Sequence, residues 1–191
     1  MTKKAKTLTP TELRRVLDHI ATRKHAARNR AMLLLTHWAG LRVGEVAALR
    51  CSDVVAADGA VRETLVLSAE QTKGRHSRTV FLSERVRKEI ATYLRAVPSH
   101  NPERALFYTQ KNPLRGFTAN TLAQFFFGLY KAAGIDGASS HSGRRTFATT
   151  LASKGVGVRV LMRAMGHRNI STTIGYVDAN DDMLRKAIEL A

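Results

Sequence analysis

Apolar residues recur at helical spacing through most of the chain, and the period changes to two at one point. Glu63-Thr64-Leu65-Val66-Leu67-Ser68 and Arg78-Thr79-Val80-Phe81-Leu82 alternate as strands do, and the polar, glycine-bearing run Thr72-Lys73-Gly74-Arg75-His76-Ser77 lies between them. This pattern predicts a β-hairpin with a basic tip. Two short strands make a small sheet at most, so helices must supply the core. The expected class is mainly α with a small antiparallel β-sheet, either the hairpin alone or three strands.

Helix ends delimit the rest. Thr9-Pro10-Thr11-Glu12 reads as a capping box with proline at the first helical position, predicting a helix over 10–20 that buries Leu13, Val16, Leu17 and Ile20. Helices over 27–38 and 43–50 flank Gly40-Leu41-Arg42, the second carrying Val46, Ala47 and Leu49 inward. After the hairpin come helices over 84–96 and 118–132, the latter with phenylalanines 125, 126 and 127 assigned to the core. Four short helices follow, over 141–153, 158–165, 171–176 and 181–190. No internal repeat or long linker divides the 191 residues, so one domain is expected.

Charge narrows the partner. Lys and Arg number 31 against 15 Asp and Glu, a surplus of +16, while 44% hydrophobic residues suffice for a packed core. A folded domain this basic points to a polyanion, whose phosphates release counterions on binding. The lone Cys51 excludes an internal disulfide and a multi-cysteine zinc cluster, which fits a reducing cytosol. The longest apolar stretch, 31–41, is interrupted by Thr36 and His37 and is too short to span a bilayer. The N-terminal Met-Thr-Lys-Lys-Ala-Lys lacks the apolar region of a signal peptide. The expected location is the cytoplasm, in association with the nucleoid, with no membrane partner.

Several residues could carry chemistry, and each has an ordinary reading when taken alone. His141 and Arg144 share a face at the start of a helix, where a phosphate would fit but where an exposed pair is commonplace. Arg42, between Gly40 and Gly44, could pair with its own Glu45 as a surface contact worth about 0.3–0.5 kcal/mol. Lys73 sits on the hairpin tip among Arg75, His76 and Arg78, a position typical of a solvated turn. Gly166 permits a tight turn presenting His167, and nine residues later stands Tyr176. A metal site built from His76, His141 and His167 is discounted, because no carboxylate or His-x-x-x-His spacing accompanies them and arginines surround them. No cofactor or metal is expected.

The joint order of these residues is the signal, and it resembles the tyrosine recombinase (phage integrase) family over residues 7–180. Ala39-Gly40-Leu41-Arg42-Val43-Gly44-Glu45 through Arg50, with Ser52-Asp53-Val54, is similar to the family's first-arginine box. Thr72-Lys73-Gly74 through Val80 resembles its lysine hairpin, and His141-Ser142-Gly143-Arg144-Arg145 its His-x-x-Arg box. Met165-Gly166-His167-Arg168-Asn169 through Tyr176 resembles the closing box. Arg145 stands where the family usually has His, and Ser142-Gly143 replaces a common apolar residue. The layout is similar to the small members such as the fimbrial phase-switch invertases, with a basic tail over 1–8, a catalytic domain over 9–191 and no N-terminal arm domain.

The resemblance implies a site-specific recombinase that cuts and rejoins double-stranded DNA without metal or ATP. Arg42 and Arg144 would fork onto the non-bridging phosphoryl oxygens, with Glu45 in support. Tyr176 would be the nucleophile, His141 its proton acceptor, Lys73 the acid for the departing 5′-oxygen, and His167 a hydrogen-bond donor to the phosphate. Arg75, Arg78, Arg145 and Arg168 are the expected further DNA contacts. A homotetramer on paired DNA sites is implied, with an accessory DNA-bending protein as an additional partner. Two alternatives share the residues: a type IB-like topoisomerase, and a non-catalytic DNA-binding regulator that keeps the fold.

Overall fold

Two reciprocal hydrogen bonds start the first helix. In the computed structural model, which describes residues 5–72, 74–97, 101–109, 115–176 and 188–189, Thr9 Oγ1 accepts the Glu12 N–H and Glu12 Oε2 accepts the Thr9 N–H. This cap opens α1 (Pro10–Ala21), which buries Val16 and Ile20 and keeps Leu13 and Leu17 partly covered. Next comes α2 (Ala26–Trp38), with Met32, Leu33, Leu34 and Leu35 all fully buried. A helix apolar on every side needs neighbours on every side. Here α1, α5 (Glu84–Arg95) and α7 (Ser142–Ser153) surround it.

The hairpin pairs β1 (Thr64–Leu67) with β2 (Arg78–Phe81) in antiparallel register, Leu65 opposite Val80 and Leu67 opposite Arg78. These two strands form the sheet among the described residues, and Tyr108 meets Gly116 only as an isolated bridge. Also present are α6 (Ala119–Ala132), α8 (Val158–Met165) and α9 (Ser171–Ile174). A large core joins α1, α2, α5, α6 and the hairpin. A smaller one, Ala148, Ala152, Leu161 and Met165, lies between α7 and α8, and Tyr176 packs against it.

Three expectations need correction. The helix over 43–50 is two helices, α3 (Val43–Ala48) and α4 (Cys51–Val54), separated by Leu49 in extended conformation. The break is tertiary in origin: Leu49 O accepts the Leu106 N–H, Arg104 O accepts the Cys51 N–H, and Asp53 caps the Arg50 N–H. Of the three phenylalanines, Phe126 is buried and Phe125 partly so, whereas Phe127 is exposed. Consecutive helical positions are turned by about 100°, so three in a row cannot share one buried face. The helix over 171–176 ends at Ile174. The helix expected over 181–190 lies outside the described residues, apart from 188 and 189.

Inside α2, burial pushes His37 down to about 4 from an ordinary 6.5, with Nε2 at 3.1 Å from the Tyr130 hydroxyl. The unfolded chain therefore takes up a proton near pH 6.5, where folded His37 stays neutral until about pH 4. Stability present at pH 7 is lost as pH falls through that window, by up to about 3 kcal/mol from this group. Denaturant unfolding at pH 7 and pH 4.5 should show the loss, and His37→Gln should flatten it. An equal pH dependence in that variant would assign the effect elsewhere.

Candidate active site

Three chain turns converge on one buried carboxylate. The first lies between α2 and α3. Gly40 has φ +66°, and a Cβ there would fall 2.5 Å from the Phe147 ring, so the position requires glycine. The turn lets Arg42 cap α3, its N–H donating to Glu45 Oε2 at 2.7 Å and its Nη1 to Oε1 at 2.9 Å. From β2, Arg78 donates Nε to Oε1 at 3.0 Å and Nη2 to Oε2 at 2.7 Å. Glu45 is 1% exposed, so this is a buried fork and not a surface pair. Burial alone would raise the Glu45 carboxyl. The Arg78 hydrogen bonds and charge, the Arg42 N–H and the Arg144 charge outweigh burial and hold it below the usual carboxylate range.

The second turn starts α7. Gly143 lies so close to α2 that a Cβ would fall 2.1 Å from Thr36 Oγ1. Ser142, fully buried, exchanges hydrogen bonds with Ser139, accepting its N–H and donating its own to the Ser139 carbonyl. The close approach thus demands glycine at 143, and the next residue, Arg144, is buried to 6% exposure. The Arg144 guanidinium donates to the carbonyls of Gly40 and Met165. Burial, then the Arg42 charge, push it down to about 9 against the pull of Glu45, which still leaves it positive at neutral pH.

The third turn ends α8. Gly166 is left-handed (φ +59°), its N–H donating to Arg163 O and the His167 N–H to Met162 O. Two further α8 carbonyls are capped by arginines, Ala164 by Arg78 Nη1 at 3.1 Å and Met165 by Arg144. His167 Nδ1 lies 3.0 Å from the hydroxyl of the buried Thr173. Burial, then the charges of Arg144, Arg42 and Arg78, push His167 down to about 4, so it is neutral at pH 7. Its ring stacks on Tyr176 with centroids 6.1 Å apart, and the Arg145 guanidinium lies 5.6 Å from the Tyr176 ring centre. A phenol, a neutral imidazole and fixed arginine charges thus meet in one place, a set able to receive and polarise a phosphate.

The model of the phage integrase family matches residues 6–183. The chain belongs to that family. It is similar to the tyrosine recombinase XerA of Pyrococcus furiosus, 28% identical over 186 residues, which span 97% of the chain and 62% of the relative. With XerA of Thermococcus kodakarensis the identity is 32% over 187 residues, with the same shares. The chain therefore spans about three-fifths of the length of these curated relatives. A crystal structure of XerA recombinase is alike with a TM-score of 0.75 at 25% identity, covering all of this chain and 66% of that one. A Tn1549 transposon integrase bound to a circular intermediate DNA shares the fold with a TM-score of 0.78 at 20% identity, covering all of this chain and 67% of that one.

Arg42, Glu45, Arg78, Arg144, His167 and Tyr176 form one connected cluster of side chains. His141 is exposed at the head of α7, one turn before Arg144. Arg75 lies exposed on the hairpin tip, and Lys73 lies outside the described residues. Arg168 Nη1 donates to His76 Nε2 at 2.7 Å, tying the turn after α8 to the hairpin. Arg78 differs most from the sequence expectation of a DNA contact. Its side chain is 9% exposed and its three nitrogens are committed to Glu45 and Ala164. Strand alternation carried the signal, since Arg78 shares the inward face with Val80. No sequence pattern pointed to Thr173, whose partner His167 is met only through the α9 turn.

Proposed function

We propose that the chain is the catalytic domain, residues 9–191, of a site-specific DNA recombinase that acts through Tyr176. The Tyr176 hydroxyl attacks a DNA phosphodiester, forming a phosphorus–oxygen bond to the 3′ side and breaking the bond to the 5′-oxygen. The phenolic proton passes to His141, and Lys73 protonates the departing 5′-oxygen. A 5′-hydroxyl from another strand reverses the step, so the bond energy is conserved and ATP is not needed. Arg42 and Arg144 stabilise the phosphoryl oxygens, and neutral His167 adds a hydrogen bond through its free ring nitrogen. The observation that carries this reading is the convergence of the Arg42 and Arg144 charges on His167, whose ring stacks on Tyr176. The relatives named as tyrosine recombinases support it, as does the neighbour solved with circular intermediate DNA. A homotetramer on two paired sites, an accessory DNA-bending protein and a place at the nucleoid belong to the same proposal.

The test is covalent capture. A pool of nicked duplexes with randomised sequence is incubated with the protein, and strands that stay attached after denaturation are recovered and sequenced. An adduct on a defined sequence is the expected result; duplex binding without an adduct on any sequence would remove the proposal. With about six phosphate contacts, the affinity for intact duplex should also fall on the order of 10³-fold between 50 and 200 mM salt. A flat salt profile would overturn the claim that the basic surface binds DNA.

A further inference from the structure

We propose that Arg78 is a positioning residue for Arg42, acting through Glu45, and not a DNA contact; the inference rests on the recombinase reading above. Glu45 offers two oxygens, and Arg42 reaches both, one with its backbone N–H and one with its guanidinium. A carboxylate turns easily about its last torsion, so contacts within one helical turn do not fix its plane. Arg78 fixes it from the other side, its planar fork placing Nε on one oxygen and Nη2 on the other. Glu45 then presents a set orientation to Arg42.

Arg78 is in turn anchored. Its remaining terminal nitrogen donates to Ala164 O at the end of α8, and its aliphatic stem lies against Gly166, where a Cβ would fall 2.5 Å from Arg78 Cδ. The strand register keeps it inward, opposite Leu67 and on the face of Val80. Arg42, by contrast, has a side chain 28% exposed against 9% for Arg78, so of the two it is the one open to a phosphate. Lysine at 78 would keep the charge but could not span both oxygens of Glu45 while holding α8.

The experiment uses the full chain and the duplex recovered by covalent capture. Arg78→Ala should lower the cleavage rate at saturating DNA by about 10²-fold, the scale of losing one fixed transition-state donor. Its affinity for intact duplex, and the slope of affinity against salt, should match the parent; loss of a phosphate contact would lower that slope by about 0.9. In an Arg42→Ala background, followed over long incubations, Arg78→Ala should cost less than about a further twofold, because both changes remove the same interaction. A merely structural role would multiply the two losses. Arg78→Lys serves as the folded variant if Arg78→Ala loses its cooperative melt, and it should fall between parent and Arg78→Ala. A reduced salt slope, a full multiplicative loss, or parental cleavage by Arg78→Lys would overturn the proposal. Failure of the parent itself to form an adduct would count against the recombinase reading instead.

Discussion

Tyr176→Phe should bind duplex DNA as the parent does and form no covalent adduct on a nicked duplex that traps the cleaved state. Phenylalanine keeps the ring that packs on the small core between α7 and α8 and removes only the hydroxyl. The other tyrosines are poor substitutes. Tyr93 is buried and its hydroxyl donates to Leu106 O, and Tyr130 is buried beside His37. Burial raises both phenols well above their ordinary value. The Tyr108 ring lies under the Arg104 guanidinium and shows no contact with His167 or Arg145, which flank Tyr176. Mass spectrometry of the parent adduct should therefore find DNA on the peptide containing Tyr176. An adduct persisting in Tyr176→Phe would overturn the assignment, and cut DNA carrying no protein would overturn the mechanism.

Arg144→Ala should lower strand cleavage by at least about 10²-fold, and replacing the 5′-bridging oxygen with sulfur should not restore it. Its guanidinium acts on non-bridging oxygens, so an easier leaving group does not replace it. Lys73→Ala should slow an ordinary strand comparably and recover on the sulfur substrate, since a thiolate departs without a proton. No recovery would make another group the acid, with His141 next. Arg144 also serves the fold, because its loss leaves the carbonyls of Gly40 and Met165 without that partner, at about 1–3 kcal/mol for each buried unsatisfied group. Melting curves alongside the kinetics separate the two effects, and Arg144→Lys should retain more stability than activity.

Both predictions concern residues legible in the sequence, because their identity, order and spacing survive as a linear pattern. Local physics was equally readable. The capping box at Thr9, the glycine stop of α8 and the two strands follow from interactions within a few residues. What could not be read is what long-range contacts impose. The break at Leu49 comes from bonds to Arg104 and Leu106, which lie beyond the hairpin and α5 in the chain. The need for glycine at 143 comes from Thr36 on another helix.

The sequence by itself determined the class of fold, the basic character and which residue types stand in which order, since those depend on periodicity and chemistry along the chain. Only the tertiary structure decided how each arginine is used. Arg42, Arg78 and Arg144 are equally basic in the sequence, yet Glu45 draws two of them into a fork, and backbone carbonyls from two distant turns hold the third. The reason is physical: burying a carboxylate requires charged partners at hydrogen-bond distance, and which arginine reaches it depends on where strands and helices cross in space.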